Sequence, residues 1–265
     1  MITKQTIKQL PFIGNIAKTI YTRLKGTWHL NPSHWIRRVC HHTQGIAVQI
    51  GSNDGQTGDP LHAWLKHKKG WSAVFVEPVP FIFNRLKKNY SGQERFAFEN
   101  AVVNDGSTVE FYWLSERARS ALPSLPSWYD QLGGFSREHI VTHLPQTEPF
   151  IEQATLPGIT LMNLFEKHRL KKIDLLHIDT EGADFQILRQ LDLERYRPRV
   201  ILYERRHLSP SESESSIRFL QAHYALFDLG ADILAIEKTT HNEMLATLKP
   251  LASVRVVERP HDAGT

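Results

Sequence analysis

Small and acidic residues stand at the ends of several apolar segments that are typical of buried β-strands. A turn that begins with Gly51 and ends with Gly55 follows residues 46–50, and Glu77 follows residues 71–76. In an open α/β sheet, ligands bind beyond the carboxyl ends of the strands, so chemistry is expected at these positions. The full set of strand-end residues is Gly51, Ser52, Asn53, Asp54, Gly55, Glu77, Asn100, Ala101, Asp179, Thr180, Glu181, Gly182 and Glu204.

The turn after the first strand and the acid after the second suit a nucleoside. Gly51 and Gly55 have no side chains, so the backbone of the turn can approach a ligand closely. Their spacing is not the G-x-G-x-x-G of a dinucleotide site, and no phosphate-loop lysine is nearby. Glu77, 22 residues beyond Gly55, can accept both hydroxyl groups of a ribose. S-adenosylmethionine is the common nucleoside cofactor without a pyrophosphate, and the alternative is an ordinary tight turn with a helix-capping glutamate.

Carboxylates and one histidine near the later strand ends are candidates for acid–base chemistry. Transfer of a group to a hydroxyl requires a base within hydrogen-bond reach of the hydroxyl proton. Asp179, at the end of a central strand, is the first candidate, and Glu204 and His207 are the others. The alternative role of Asp179 is to cap the helix that follows Gly182.

No metal ion is predicted from the sequence. Asp179, Glu181 and Glu204 are hard oxygen ligands, so a divalent ion bound by these three is the open alternative. The fourteen histidines form no metal-binding pattern. The single cysteine, Cys40, excludes a cysteine-based zinc site and an internal disulfide framework.

Strand, turn and helix alternate along most of the chain, which is typical of a mostly parallel sheet with helices on both faces. Strands are predicted at 46–50, 71–76, 96–103, 109–114, 173–178 and 200–203, with a hairpin turn at 105–106 and a final hairpin of 225–229 and 233–236. Helices are predicted from Asp59-Pro60, over 81–90, over 159–168, after Gly182 and over 217–224.

Residues 115–158 interrupt this alternation. They contain five prolines and show little sustained hydrophobic period. A long irregular segment inside a compact domain is usually a lid or a substrate loop, and a merely decorative excursion is the alternative. The aromatic residues at or in this segment, which either stack on a flat acceptor such as a sugar or pack the loop onto the domain, are Trp113, Trp128, Tyr129 and Phe135.

Charge divides the chain into a basic leader and a mildly acidic body. The 32 basic and 28 acidic residues give a net charge of +4, but residues 1–53 hold seven basic residues and no acidic one. The apolar period within residues 1–26 predicts an amphipathic helix. Such a helix lies on an anionic membrane surface or packs on the body or a second subunit. Nucleic acid is not a predicted partner, because aromatic residues are sparse in the leader.

The location of the protein is predicted from what the sequence does not contain. No stretch approaches the ~20 apolar residues of a membrane span, and no signal peptide is predicted. A cytoplasmic location is expected, at the inner face of the membrane if the leader binds lipid. The sequence does not indicate an oligomeric state.

Four motifs occur in one order along the chain: V-Q-I-G-S-N-D-G at 48–55, V-E-P-V-P at 76–80, N-A-V at 100–102 and I-D-L-L-H-I-D-T-E-G at 173–182. Together with Glu204 they resemble the FkbM family of S-adenosylmethionine-dependent methyltransferases, over roughly residues 45–237. The resemblance implies the Rossmann-like fold of class I methyltransferases, with a seven-stranded, mostly parallel sheet flanked by helices and a C-terminal antiparallel hairpin. It also implies O-methylation, often of sugars, polyketides or other secondary metabolites.

The resemblance further implies which residues bind the cofactor. Gly51, Asn53 and Gly55 would line the methionine part, Glu77 would bind the ribose, and residues 100–101 would meet the adenine edge. Gln49 stands where many members carry an acid, so the methionine ammonium group would need another anchor, such as Asp54 or Asp179. The complete predicted cofactor set is Gly51, Ser52, Asn53, Asp54, Gly55, Glu77, Asn100, Ala101 and Asp179.

We therefore predict a basic, partly helical extension over residues 1–44 and a methyltransferase domain over 45–265, with a lid-like insertion at about 115–158. The predicted function is S-adenosylmethionine-dependent O-methylation of a hydroxyl, of a sugar in a glycan or lipid-linked saccharide or of a secondary metabolite. The alternative is a non-catalytic membrane-surface or assembly module with a degenerate methyltransferase fold. A nicotinamide oxidoreductase is disfavoured by the glycine spacing.

Overall fold

The computed structural model describes residues 30–240 and 255–256, and the helix predicted within residues 1–26 lies outside them. The strands are β1 (Gly45–Ile50), β2 (Trp71–Val76), β3 (Phe96–Glu99), β4 (Val102–Val103), β5 (Val109–Leu114), β6 (Ile151–Leu156), β7 (Gly158–Ile159), β8 (Leu175–Ile178), β9 (Val200–Glu204), β10 (Tyr224–Asp228), β11 (Asp232–Glu237) and β12 (Arg255–Val256). The α-helices are α1 (Pro32–Val39), α2 (His62–Leu65), α3 (Pro80–Asn89), α4 (Arg117–Ala121), α5 (Arg137–His143), α6 (Leu161–Lys167), α7 (Asp184–Leu188) and α8 (Pro210–Leu220). No helix of the described ranges is long and apolar enough to cross a membrane.

The central sheet has the strand order β12-β10-β11-β9-β8-β1-β2-β3. The five strands from β9 to β3 are parallel to one another. The hairpin of β10 and β11 lies antiparallel beside β9, and the two-residue β12 pairs with β10. The predicted seven-stranded, mostly parallel sheet with its antiparallel hairpin is confirmed, and β12 adds an eighth strand at the edge.

The order of the strands in the sheet changes direction at β1. The chain continues to β2 and β3 on one side of β1, and it later returns to β8 and β9 on the other side. Ile50 pairs with Val76 and with Ile178, so the turns after β1, β2 and β8 begin at one level of the sheet. Open α/β sheets bind ligands at such a switch point, which defines where the site must lie.

Helices cover both faces of the sheet, and β1 and β8 are correspondingly apolar and buried. Trp35 and Ile36 of α1 are fully buried and belong to the same apolar cluster as Trp71 of β2. Asn31 caps this helix, because its side chain accepts a hydrogen bond from the backbone of Ser33. The domain boundary at residue 45 stays a prediction, and the packing of α1 favours a boundary before Asn31.

The segment of residues 115–158, predicted to be irregular, has regular structure. β5 pairs antiparallel with β6, and α4 and α5 lie between these strands in the chain. The irregular reading is wrong because the prolines separate short elements, as where Pro145 begins a 3-10 helix. This segment and the end of β5 share an apolar cluster, which contains Leu114, Ala118, Leu125, Tyr129, Leu132, Ile140 and Leu144.

The hairpin predicted at residues 105–106 is also wrong. β4 pairs in parallel with β7, whereas β5 pairs with β6, so the turn joins strands of two different sheets. The side chain of Asn104 closes this turn, because it accepts from Gly106 N at 2.8 Å and donates to Ser107 O at 2.9 Å. The strand predicted over 96–103 is likewise divided into β3 and β4.

Two predicted helices have different limits. The helix predicted over 217–224 is α8, which begins at Pro210 and ends at Leu220. Its start has a capping box, in which Ser209 and Glu212 each bind the backbone of the other. The helix predicted over 159–168 begins at Leu161, because residues 158–159 pair as β7.

Candidate active site

A cavity of about 180 Å³ opens at the carboxyl ends of β1, β2 and β8. The insertion contributes part of its wall through Asp130, Gln131 and Phe135. The predicted site residues that line the cavity are Gly51, Ser52, Asn53, Glu77, Ala101 and Asp179. The predicted site residues outside its lining are Asp54, Gly55, Asn100, Glu204 and His207.

The turn after β1 lies directly against the turn after β8. Gly51 has a φ of +74°, and a Cβ atom at this position would lie 1.8 Å from the backbone oxygen of Asp179. Only glycine permits this backbone approach. Ser52 fastens the turn to β2, because its hydroxyl accepts a hydrogen bond from Val76 N at 3.1 Å. Asp179 therefore stands beside the first residues of the turn.

Backbone amides hold both carboxylate oxygens of Glu77. Oε2 accepts from Asn53 N and Oε1 accepts from Val79 N, each at 2.9 Å. The side chain is buried, and burial raises the pKa of Glu77 to about 7. Each carboxylate oxygen can accept more than one hydrogen bond, so Glu77 can also accept the two hydroxyls of a ribose.

Asn100 supports Glu77 from outside the cavity. Its Nδ2 donates to the backbone oxygens of Glu77 and Pro78, each at 2.8 Å. The next residue, Ala101, does line the cavity. Asn100 thus positions the loop after β2, and direct contact between Asn100 and an adenine stays a prediction.

Asp54 and Gly55 hold the turn in place. Asp54 Oδ1 accepts from Thr57 N at 2.7 Å. A Cβ atom on Gly55 would lie 2.5 Å from Leu86 Cδ1, so α3 packs directly on the turn. These contacts give both residues a structural role, and their direct contact with a cofactor stays a prediction.

Gln49, Asp59 and His177 form a hydrogen-bonded group on the cavity wall. Gln49 Nε2 donates to Asp59 Oδ2 at 3.0 Å and lies 3.0 Å from His177 Nδ1. Burial raises the pKa of Asp59 to about 6 and lowers the pKa of His177 to about 4. The prediction that Asp59 caps a helix beginning at Pro60 is wrong, because α2 begins at His62 with Leu61 as its N-cap, although Asp59 Oδ1 accepts from His62 N at 3.0 Å. The hydrogen bond between Gln49 and Asp59 depends on the tertiary structure, so the spacing of these residues in the sequence does not predict it.

Asp179 occupies the cavity wall at the end of β8. Close-packed protein raises the pKa of Asp179 well above its ordinary value, and Asp184 and Glu181 add to this shift. Solvent reaches the carboxyl group through the cavity and limits the effect. Asp179 does not cap α7, because Asp184 accepts the local hydrogen bonds, including one from Thr180 Oγ1 at 2.9 Å.

Glu204 and His207, the other predicted catalytic residues, meet at Glu181. Glu181 lines the cavity, whereas Glu204 and His207 do not. The backbone of Glu181 has a φ of +53°, which is uncommon for a residue other than glycine. The structure thus brings two predicted catalytic residues together beside the cavity, and their catalytic roles stay predictions.

Ion pairs attach the insertion to the rest of the domain. Arg85 of α3 donates to Asp130 at 2.7 Å and to Glu116 at 2.8 Å. Phe135 is 43% exposed, and its ring packs edge-on against Phe111 with 5.5 Å between the centroids. The insertion therefore presents both a carboxylate and an aromatic ring to the cavity.

These residues fit S-adenosylmethionine. Gly51 leaves room for a ligand against the backbone, and the pre-positioned Glu77 carboxylate suits a ribose. The strand order, the switch point at β1 and this strand-end site define a class I S-adenosylmethionine-dependent methyltransferase. Residues 49–251 match the Methyltransferase FkbM domain, and the chain belongs to that family. No curated protein matches the chain significantly.

Solved structures with a similar course of the chain have low sequence identity to it. A human methyltransferase 10 domain containing protein is 15% identical with a TM-score of 0.39, over 78% of this chain and 81% of the other. A fibrillarin pre-rRNA processing protein of Methanococcus jannaschii is 9% identical with a TM-score of 0.39, over 74% and 66%. A TehB-like SAM-dependent methyltransferase of Corynebacterium glutamicum is 11% identical with a TM-score of 0.35, over 84% and 94%.

Proposed function

We propose that the protein is an S-adenosylmethionine-dependent O-methyltransferase. Its acceptor in this proposal is a hydroxyl of a sugar, in a glycan or a lipid-linked saccharide, or of a secondary metabolite. The position of Asp179 carries the proposal, because the residue lines the cavity and its backbone lies against the turn that begins with Gly51. A carboxylate there can accept the proton that a hydroxyl loses as it is methylated.

S-adenosylmethionine, when bound, supplies an electrophilic methyl group on a sulfonium centre. We assign its ribose to Glu77, its methionine part to the backbone of residues 51–53 and its adenine edge to Ala101. Asp54, Gly55 and Asn100 complete the predicted set, and we assign to them the task of holding these groups in position. The chain's contribution to rate is then mainly the placement of the acceptor oxygen.

The methionine ammonium group needs an acid that Gln49 does not supply. Asp59 lies one hydrogen bond from Gln49 and lines the cavity, so we propose it as the anchor in place of Asp54 or Asp179. S-adenosylhomocysteine carries the same ammonium group, so Asp59→Asn should weaken its binding about tenfold. The amide keeps the Oδ1 acceptor for His62 N, and an unchanged affinity would contradict the assignment.

Calorimetric titration with S-adenosylhomocysteine tests the cofactor assignment directly. We expect saturable binding with one site per chain, and no binding at millimolar ligand would contradict the proposal. Glu99→Gln is a matched control, because Glu99 also ends a strand but pairs with Lys167 and His168 outside the cavity. This control should bind the ligand as the unmodified protein does.

Phe135 is our proposed contact for the acceptor. It is the aromatic residue of the predicted set that lines the cavity, whereas Trp113 and Tyr129 are buried in apolar clusters. Mass spectrometry of cell extracts incubated with isotope-labelled S-adenosylmethionine would identify the acceptor. A methylated nitrogen or carbon instead of oxygen would contradict O-methylation, and cofactor binding without any labelled product would favour the non-catalytic alternative.

We also propose a cytoplasmic enzyme whose basic residues 1–26 contact the inner face of the membrane. Seven basic residues without an acid in residues 1–53 support an anionic partner. In flotation with liposomes of anionic lipid, the full chain should float with the liposomes, and a chain that begins at residue 30 should not. Equal flotation of both chains would contradict this part of the proposal.

A further inference from the structure

Glu181, Glu204 and His207 form a compact group of ligand atoms at the cavity wall. His207 Nε2 lies 3.1 Å from Glu181 Oε2 and 3.9 Å from Glu204 Oε2. One donor atom from each residue lies within 4.8 Å of the other two. Because Glu181 also lines the cavity, a ligand bound by this group would be adjacent to the cavity contents.

One carboxylate oxygen of this group lacks a hydrogen-bond partner among the described residues. Glu204 Oε2 is buried without a hydrogen-bond partner in the described part of the chain, and its side chain is only 11% exposed. Across residues 30–240, His207 is the only ion-pair partner of Glu181 and Glu204. A partnerless carboxylate oxygen in such surroundings is costly unless a cation is bound.

His207 has the properties of a metal ligand. Its Nε2 is the atom that faces the carboxylates of Glu181 and Glu204. The neutral imidazole is the form that coordinates metal ions. The ring of His139, from α5 of the insertion, packs against it with 5.8 Å between the centroids and restricts its orientation.

We propose that Glu181, Glu204 and His207 bind a divalent transition-metal ion such as Mn²⁺ or Zn²⁺. Two carboxylates with an imidazole suit these ions, whereas Mg²⁺ and Ca²⁺ prefer oxygen ligands alone. Ligand atoms in a tetrahedral zinc site lie about 3.4 Å apart, so modest side-chain rotations would bring the present set to bonding distance. The set differs from the acidic trio suggested by the sequence, since His207 takes the place of Asp179.

The ion would also have a role in catalysis. Held at Glu181, its charge would stand at the cavity wall near Asp179 and would orient an acceptor hydroxyl toward that carboxylate. This role rests on the proposed methyl transfer, whereas the binding of the ion does not.

The test uses the full chain after treatment with a chelator and dialysis. Mn²⁺ binding is followed by the electron paramagnetic resonance signal of the free ion, and Zn²⁺ binding by calorimetry. We expect one ion per chain. Glu204→Gln and His207→Gln should each weaken binding by about 10- to 100-fold. Glu99→Gln, which alters the glutamate–histidine pair of Glu99 and His168 elsewhere in the fold, should leave binding unchanged.

Two results would overturn the proposal: no binding of either ion at millimolar concentration, or an equal loss in the site variants and the Glu99→Gln control. Titration of each variant with S-adenosylhomocysteine shows that it is folded, and normal cofactor binding with lost metal binding supports the proposal. If His207→Gln does not fold, Glu181→Gln takes its place. Metal binding in a protein that does not bind S-adenosylhomocysteine would support the metal site and contradict the proposed methyl transfer.

Discussion

Two glutamates end parallel strands on opposite sides of β1, and their surroundings differ. Glu77 is held by two backbone amides, whereas Glu204 has an oxygen without a partner among the described residues and faces several other carboxylates. We call the turn of residues 51–55 with Glu77 the cofactor half, and Asp179, Glu181, Glu204 and His207 the acceptor half. The chain itself organises the first half, while the second half leaves a carboxylate oxygen without a hydrogen-bond partner among the described residues.

The largest effect that would separate the two halves is expected at Asp179. Asp179→Asn keeps the size of the side chain and removes its ability to accept the hydroxyl proton. We expect the rate of methyl transfer to fall by roughly 10²- to 10⁴-fold, while S-adenosylhomocysteine affinity changes much less. Stopped assays with labelled cofactor and calorimetry measure the two quantities. A parallel loss of both would place Asp179 in the cofactor half.

Gly51 lies where the cofactor half contacts the acceptor half. In Gly51→Ala, the new Cβ would collide with the backbone oxygen of Asp179, so we expect the free energy of unfolding to fall by about 3 kcal/mol or more. Gly58→Ala is the matched control, because Gly58 also has a positive φ but nothing lies within 4 Å of its added Cβ. That variant should lose only about 1–2 kcal/mol. Urea unfolding of both variants makes the comparison, and equal losses would mean that the halves are not in close contact.

Glu77→Ala tests the cofactor half alone. The change leaves the amides of Asn53 and Val79 without an acceptor and removes the proposed ribose partner. We expect S-adenosylhomocysteine to bind about 30- to 100-fold more weakly, with a milder effect of Glu77→Gln. Calorimetry measures both variants, with Glu99→Gln as the control. An affinity within twofold of the unmodified protein would remove Glu77 from the site.

A change of pH is expected to have a smaller effect on the affinity for S-adenosylhomocysteine. Burial raises the pKa of Glu77 from its ordinary value of 4.5 to about 7, so the carboxylate that accepts hydroxyls is lost as the pH falls through 7. S-adenosylhomocysteine affinity should therefore drop about tenfold between pH 8 and pH 6. The free energy of unfolding responds to pH in the opposite direction. It falls as the pH rises from 4.5 to 7, because the raised pKa of Glu77 means that its ionisation is less favourable in the folded than in the unfolded chain. In Glu77→Gln the dependence of affinity on pH should be flatter, and an identical slope would assign it to another group.

The cofactor half was easier to predict from sequence than the acceptor half. Its residues are close in sequence to two strands, and parallel pairing brings their ends together once the sheet forms. The sequence therefore suffices to place Gly51 and Glu77 at one edge. The sequence does not show that Asn100 holds the loop after β2 or that Asp54 holds the turn after β1, because both roles depend on side-chain hydrogen bonds.

The acceptor half depends on tertiary contacts that no spacing reveals. Glu181 and His207 are separated by α7 and β9, and Glu181 meets His207 from a left-handed backbone conformation after β8. The irregular structure predicted for residues 115–158 is wrong for a related reason. The pairing of β5 with β6 joins strands separated by two helices, whereas the prolines between them suggested irregular structure. Local patterns predict strands, but they do not predict which distant partner a strand takes.

The two ion pairs of Arg85 differ in strength. The Glu116 side chain is exposed, so its pair with Arg85 is worth only about 0–1 kcal/mol and is weakened by salt. The Asp130 side chain is only 14% exposed, so its pair with Arg85 is screened less, and Ile82 of the same helix belongs to one buried apolar cluster with Phe111 and Trp113. Raising the ionic strength should therefore weaken the outer contact while Asp130 stays in place, so that this part of the cavity wall keeps its shape over a wide range of salt concentration.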